Sequence, residues 1–226
     1  MVNIHVIIPV YNAKHFLRDA VESVLNQPNK GIDIVLVDDG STDGSAQLCD
    51  EIASREKRVS VIHQENGGVS RARNAGIAFF LKKSAKGYVA FLDSDDLWFP
   101  GVIDEAVAGK LHTLEQTDVF VFGSTVSNED CSRYAVPHRY QEETFEGGNG
   151  VIWKVHRHFG ANLYSLRLLC EFKIRFVEGL KYSEDKIFML QNLFLARNVT
   201  FMPEILHIYR ESSTSTMRQI FSYYSS

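Results

Sequence analysis

Four short apolar runs, each followed by a turn and then by apolar residues at helical spacing, fill the first hundred positions. Residues 4–10 (Ile-His-Val-Ile-Ile-Pro-Val) are almost continuously apolar, as in a strand covered on both faces. Phe16, Leu17, Ala20, Val21, Val24 and Leu25 then recur on one side of a helix. Residues 33–37, 59–63 and 88–92 read as further strands. Ser41 or Asp43 can cap a helix running to about Arg55, and Gly67-Gly68 turns the chain into another over residues 69–83. Such alternation predicts right-handed βαβ units and an α/β fold on a mainly parallel sheet.

Ligands of such sheets bind beyond the carboxyl ends of the strands. Asn12, Asp39, Arg73 and Asp93 all fall just after strands or at the starts of the following helices, so they belong on one rim. Two turns there are rich in carboxylates: Val37-Asp38-Asp39-Gly40-Ser41-Thr42-Asp43 and Phe91-Leu92-Asp93-Ser94-Asp95-Asp96. Acids this close repel, so a fold that gathers them supplies a cation or a hydrogen-bonding ligand. The first turn suits a nucleoside and the second a divalent metal held against phosphate. Together they suggest an enzyme working on a nucleotide-activated substrate.

The second half is less regular. Residues 119–126 read as a strand, 127–150 as a polar loop with short strands that could serve as a flap, and 163–176 as strand then helix. Residues 185–196 form an amphipathic helix, and 199–209 one or two last strands. No internal repeat or low-complexity linker appears, which favours a single domain over 1–226, with a nucleotide-binding half (1–100) and an acceptor-binding half (101–226).

Of the 226 residues 45% are hydrophobic, enough to bury a full core. The net charge of −4 and the absence of a basic stripe argue against nucleic acid as a partner. Cys49, Cys131 and Cys170 are odd in number and far apart, which suggests neither a disulfide framework nor a zinc cluster and fits a reducing cytosol. No signal peptide is evident, and no run reaches the roughly 18 to 20 apolar residues of a membrane span. A cytoplasmic protein is expected, with room for peripheral association at the inner face of the membrane.

Pro9-Val10-Tyr11-Asn12, Asp38-Asp39-Gly40-Ser41-Thr42-Asp43, the segment Asn66-Gly67-Gly68-Val69-Ser70-Arg71-Ala72-Arg73-Asn74-Ala75-Gly76, Asp93-Ser94-Asp95-Asp96 and Glu184-Asp185 stand in this order along the chain. The series resembles the signature of glycosyltransferase family 2, strongly over about residues 3–100 and more loosely over 160–216. The resemblance implies a GT-A fold, a Rossmann-like sheet flanked by helices with a smaller mixed acceptor-side region. It also implies inverting transfer from a nucleotide sugar, UDP-linked by preference, to a saccharide or lipid-linked glycan in cell-envelope polysaccharide synthesis.

By the same resemblance, Asp39 accepts the imide N–H of the base while Pro9, Val10, Tyr11 and Asn12 frame the ring. Arg73 is expected to donate to the base or the phosphates, whereas Arg71 reads as a solvated helix face and Asp43 as a cap. Asp95 is the expected ligand of Mn²⁺ or Mg²⁺, with Asp93 and Ser94 on the ribose or assisting, and Asp96 capping a helix through Trp98 and Phe99. Asp185 is the implied general base and Glu184 an orienting group. His207 is either a late metal ligand or a strand histidine with its hydrogen bonds satisfied. Arg210 and residues 212–216 resemble a tail over the diphosphate, and Trp153, His156 and His158 could line an acceptor groove.

Two rivals remain at this level. A sugar-1-phosphate nucleotidyltransferase would place a glycine-rich basic loop after the first strand, where this chain has Pro9-Val10-Tyr11-Asn12-Ala13. A non-catalytic nucleotide-sugar-binding subunit would have no need of Asp95, Glu184 and Asp185.

Overall fold

The structure, a computed structural model, describes residues 2–84, 86–148, 150–155 and 159–211. Strand β1 (Ile4–Val10) leads through α1 (Leu17–Leu25) to β2 (Ile32–Asp38), then through α2 (Ser45–Arg55) to β3 (Val59–His63). Helix α3 (Val69–Lys83) crosses to β4 (Tyr88–Phe91). These four strands pair in parallel in the order β3-β2-β1-β4, as the alternating pattern predicted.

The run in β1 is apolar throughout because its side chains point alternately into two covers of the sheet. Ile4, Val6, Ile8 and Val10 pack with Leu17, Val21 and Val24 of α1 and Leu48 and Ile52 of α2. Ile7 faces the other layer, with Ala72, Ile77 and Phe80 of α3. Helix α3 approaches closely because position 76 carries no side chain: a Cβ there would lie 2.5 Å from Cγ2 of the buried Ile7. Gly76→Ala is therefore expected to destabilise by about 1–3 kcal/mol. That strain outweighs the gain in helix propensity, of the order of 1 kcal/mol. The urea midpoint should fall; a rise would show that α3 lifts off the sheet at little cost.

The second half extends the same sheet. After β5 (Leu97–Trp98), α4 (Glu105–Thr113) and the long β6 (Val119–Asn128) come β7 (Glu143–Glu146), β8 (Asn162–Ser165), α5 (Leu166–Glu171), α6 (Glu184–Leu195) and β9 (Asn198–Glu211). Strand β8 runs antiparallel to both β4 and β6, β9 lies parallel to β6, and β5 and β7 each pair antiparallel with β9. The described residues form one nine-stranded sheet, parallel on one side and mixed on the other. Phe188, Met189 and Leu193 of α6 bury against the face that α3 covers.

One detail differs from the sequence reading. Trp98 lies in a strand, not a helix: Leu97 and Trp98 pair with Ile208 and His207 of β9, and Pro100 and Gly101 follow. The next helix starts only at Glu105, capped by Asp104, whose Oδ1 accepts the Val107 N–H at 2.8 Å. The end of the chain's described part is one strand of 14 residues, with no break. Among the described residues no helix is long and apolar enough to cross a membrane.

Candidate active site

The strand register brings the expected residues to one rim. Val10 of β1 stands beside Asp38 of β2, and Ile7 beside Phe91 of β4. The Asp39 N–H donates to the Val10 carbonyl at 2.8 Å, and that of Leu92 to Ile7 at 3.1 Å. The turns after β1, β2 and β4 therefore open on the same side.

The first acidic turn is tied to its neighbours by side chains. Asn12 adopts a left-handed conformation (φ 50°), its Oδ1 accepts the Thr42 N–H at 2.8 Å, and its own N–H donates to Ser41 Oγ at 3.1 Å. Asp43 accepts N–H groups from Ser45 and Lys14, while the cap position of α2 is held by the left-handed Gly44 (φ 94°) and not by Asp43 or Ser41. Asp39 is buried, and its carboxylate accepts from Gln64 Nε2 at 2.6 Å, Gly67 N–H at 2.9 Å and Gly68 N–H at 2.8 Å. Those bonds draw the Asn66–Gly68 turn onto the rim and leave one of about four lone-pair sites unused. Gly40 (φ +75°) makes room for that turn, since a Cβ there would sit 2.9 Å from the Asn66 nitrogen. Pro9 and Val10 are buried, whereas Tyr11 is 55% exposed.

Sequence reasoning missed His63. It ends β3 in register with Asp38, its Nδ1 lies 3.0 Å from Asp38 Oδ2, and its Nε2 lies 3.1 Å from Asp50 Oδ1. The parallel register was the available signal, because strand ends that pair also bring their side chains together. The hydrogen bond to Asp38, then that to Asp50, raises the imidazole above its ordinary pKa. The sign follows: this stabilisation is complete below the unfolded value and disappears as pH rises through the folded one. The stability difference between wild type and His63→Gln should accordingly shrink from about pH 5.5 to about pH 8.5. A difference that stays constant in denaturant titrations at the two pH values would refute the pairing.

Arg73 enters from α3 with its side chain only 4% exposed. Its Nη2 donates to Asp93 Oδ1 at 2.7 Å and its Nη1 to Glu184 Oε1 at 3.1 Å. The guanidinium lies 5.2 Å from the ring centroids of both Phe159 and Phe176. Burial works against its charge, and the two carboxylates more than offset this, raising its pKa.

In the second acidic turn, Asp95 is half-buried and its carboxyl is pushed up to about 7 by burial and by the charges of Asp96 and Asp93. An acid in that position gains from a nearby cation. A hard, oxygen-preferring divalent ion that takes most of its ligands from phosphate and water would fit Asp95 as a single protein ligand. Ser94 lies half-buried beside it. Asp96 does not cap a helix: it is buried, its Oδ2 lies 2.9 Å from His207 Nε2, and its Oδ1 accepts the Arg210 N–H at 3.0 Å. The ring of His207 is thus engaged with a carboxylate inside β9. Among the described residues no three histidine, cysteine or carboxylate side chains gather in a metal-binding group. The Arg210 guanidinium lies over Phe16 and 3.3 Å from Asp19.

In the second half of the chain, Glu184 and Asp185 form the first turn of α6, where free N–H groups favour negative charge. Ser183 just before them is left-handed (φ 67°), a costly conformation for a residue with a side chain. Asp185 is half-buried and accepts the Lys186 N–H at 2.7 Å. Its charge, after burial, contributes to the raised pKa of the phenol of Tyr164 beneath. Trp153 is 92% exposed, and His156, His158 and residues 212–216 lie outside the described residues.

Comparison with known proteins agrees with this architecture. The family model described as glycosyl transferase family 2 matches residues 5–174. EpsJ of Bacillus subtilis (strain 168), an uncharacterized glycosyltransferase, is 31% identical over 94% of the chain and 62% of its own length. The minor teichoic acid biosynthesis protein GgaA of the same organism is 30% identical, over 91% of the chain and 46% of its own. The chain thus spans about three fifths or less of these two relatives. The crystal structure of S. aureus TarS 1-349 in complex with UDP-GlcNAc superposes with a TM-score of 0.74 at 22% identity, covering 96% of this chain and 60% of that one. The shared fold is GT-A.

Proposed function

The chain belongs to glycosyl transferase family 2, and we propose that it carries out inverting, metal-assisted transfer of a sugar from a UDP-sugar to a saccharide or lipid-linked glycan. The observation behind this reading is the Arg73 bridge, which joins an acid of the donor-side turn (Asp93, 2.7 Å) to one of the acceptor-side helix (Glu184, 3.1 Å). The bridge brings these two acids to one guanidinium, and Asp95 and Asp185 stand within two residues of them in sequence.

In this reading the base stacks on Tyr11, and its imide N–H donates to the remaining lone pair of Asp39. That pattern favours uracil or thymine. TarS, which has the same fold, was solved with UDP-GlcNAc and with UDP, which supports the uridine choice. Asp185 accepts the proton of the acceptor hydroxyl as that oxygen bonds to the anomeric carbon. The bond from that carbon to the diphosphate breaks on the opposite face, UDP departs and the configuration inverts. A divalent cation on Asp95 would offset the charge that grows on the diphosphate. The name of GgaA, a relative in teichoic acid synthesis, supports a cell-envelope acceptor.

Thermal unfolding with UDP-, dTDP- and GDP-sugars, each with and without Mn²⁺, tests the donor. A ligand at a hundredfold excess over its Kd stabilises by about 2.7 kcal/mol. UDP-sugars with Mn²⁺ should give the largest shift; GDP-sugars giving it, or no nucleotide sugar giving any, would overturn the assignment.

A further inference from the structure

Arg73 is too enclosed to serve as a nucleotide ligand. Both terminal nitrogens are committed to carboxylates, Phe159 and Phe176 lie against the guanidinium, and the side chain is almost fully buried. Its partners come from opposite halves of the sheet, Asp93 from the turn after β4 and Glu184, 111 residues from Arg73, from the start of α6. The next residue repeats the pattern. Asn74 Nδ2 donates to the Phe176 carbonyl at 3.0 Å, and its Oδ1 accepts the Phe176 N–H at 2.9 Å. Phe176 in turn stacks on Phe188 of α6, with centroids 4.1 Å apart and planes 3° from parallel. Arg73 and Asn74 together fasten α3 to the helix that carries the acceptor-side acids.

We propose that Arg73 is a positioning residue whose forked guanidinium fixes the distance between the donor-side acidic turn and the first turn of α6. The proposal rests on the transferase reading above and replaces the expectation that Arg73 contacts base or phosphate. Planar bidentate geometry is what the task requires; a lysine ammonium supplies charge but cannot fork between two separated acids. Loss of the fork lets Asp185 drift relative to the donor, and misplacement by about 1 Å costs of the order of 10²-fold in rate.

The test compares Arg73→Lys, Glu184→Ala and the double variant. Each single variant should lower kcat roughly 10- to 100-fold while donor KM, and UDP affinity by calorimetry, change less than about threefold. The double variant should be little worse than the poorer single one, since both remove the same link. UDP affinity falling tenfold or more in Arg73→Lys, with kcat retained at saturation, would overturn the proposal and restore Arg73 as a ligand. The same three proteins are compared in urea unfolding, which needs no substrate. Non-additive losses there support the link even if no UDP-sugar proves to be a donor, and additive losses refute it. Should Arg73→Lys fail to fold, Asn74→Ala loosens the same junction and should show the same split between kcat and KM; an unchanged kcat would count against the proposal.

Discussion

Asp185→Asn is expected to lower the rate of sugar transfer by about 10²–10⁴-fold, the usual contribution of a positioned general base. The affinity for UDP should stay within about twofold of wild type, because in the proposed reading Asp185 serves the acceptor and not the nucleotide. Asn keeps an oxygen that can accept the Lys186 N–H at the start of α6, so the helix start survives the change. What disappears is the ability to take a proton. Single-turnover transfer combined with calorimetric titration of UDP separates the outcomes: equal loss of binding and rate would remove Asp185 from the role of base.

Asp95→Asn is expected to abolish the increase in UDP affinity brought by Mn²⁺ and, in the metal-free protein, to raise stability above neutral pH. Both effects come from one carboxyl pushed up to about 7 by burial and by the neighbouring acids. Between the ordinary carboxylate range and about pH 7 the folded protein holds a proton that the unfolded chain has released, so stability falls as pH rises through that window. An amide removes this penalty. The same titration predicts that metal-dependent UDP binding by wild type strengthens as pH rises through about 7, when the carboxylate becomes available to a cation. Mn²⁺-dependent affinity that persists in Asp95→Asn would transfer the role to other residues.

The parallel half was legible from local pattern, since each strand and helix there carries its own period and its connections are short. The acids after β2 and β4 and at the start of α6 were found by position and by resemblance. Their partners were not. Asp39 accepts from Gln64, Gly67 and Gly68, Asp96 is held by residues of β9, and Arg73 donates to two acids from elsewhere in the chain; each depends on which strands lie side by side. The reading of Trp98 as helical failed for a related reason. Two residues carry no period, and their pairing with Ile208 and His207 is a fact about a strand over a hundred positions away.

Tyr88 and Val89 of β4 pair with Ser165 and Tyr164 of β8, so the sheet runs without interruption from its parallel half to its mixed half. Two jaws swinging apart would have to tear that seam and expose its peptide groups to the core. In the proposed reading, admission and release of substrates therefore fall to the turns on the rim and not to a parting of the sheet.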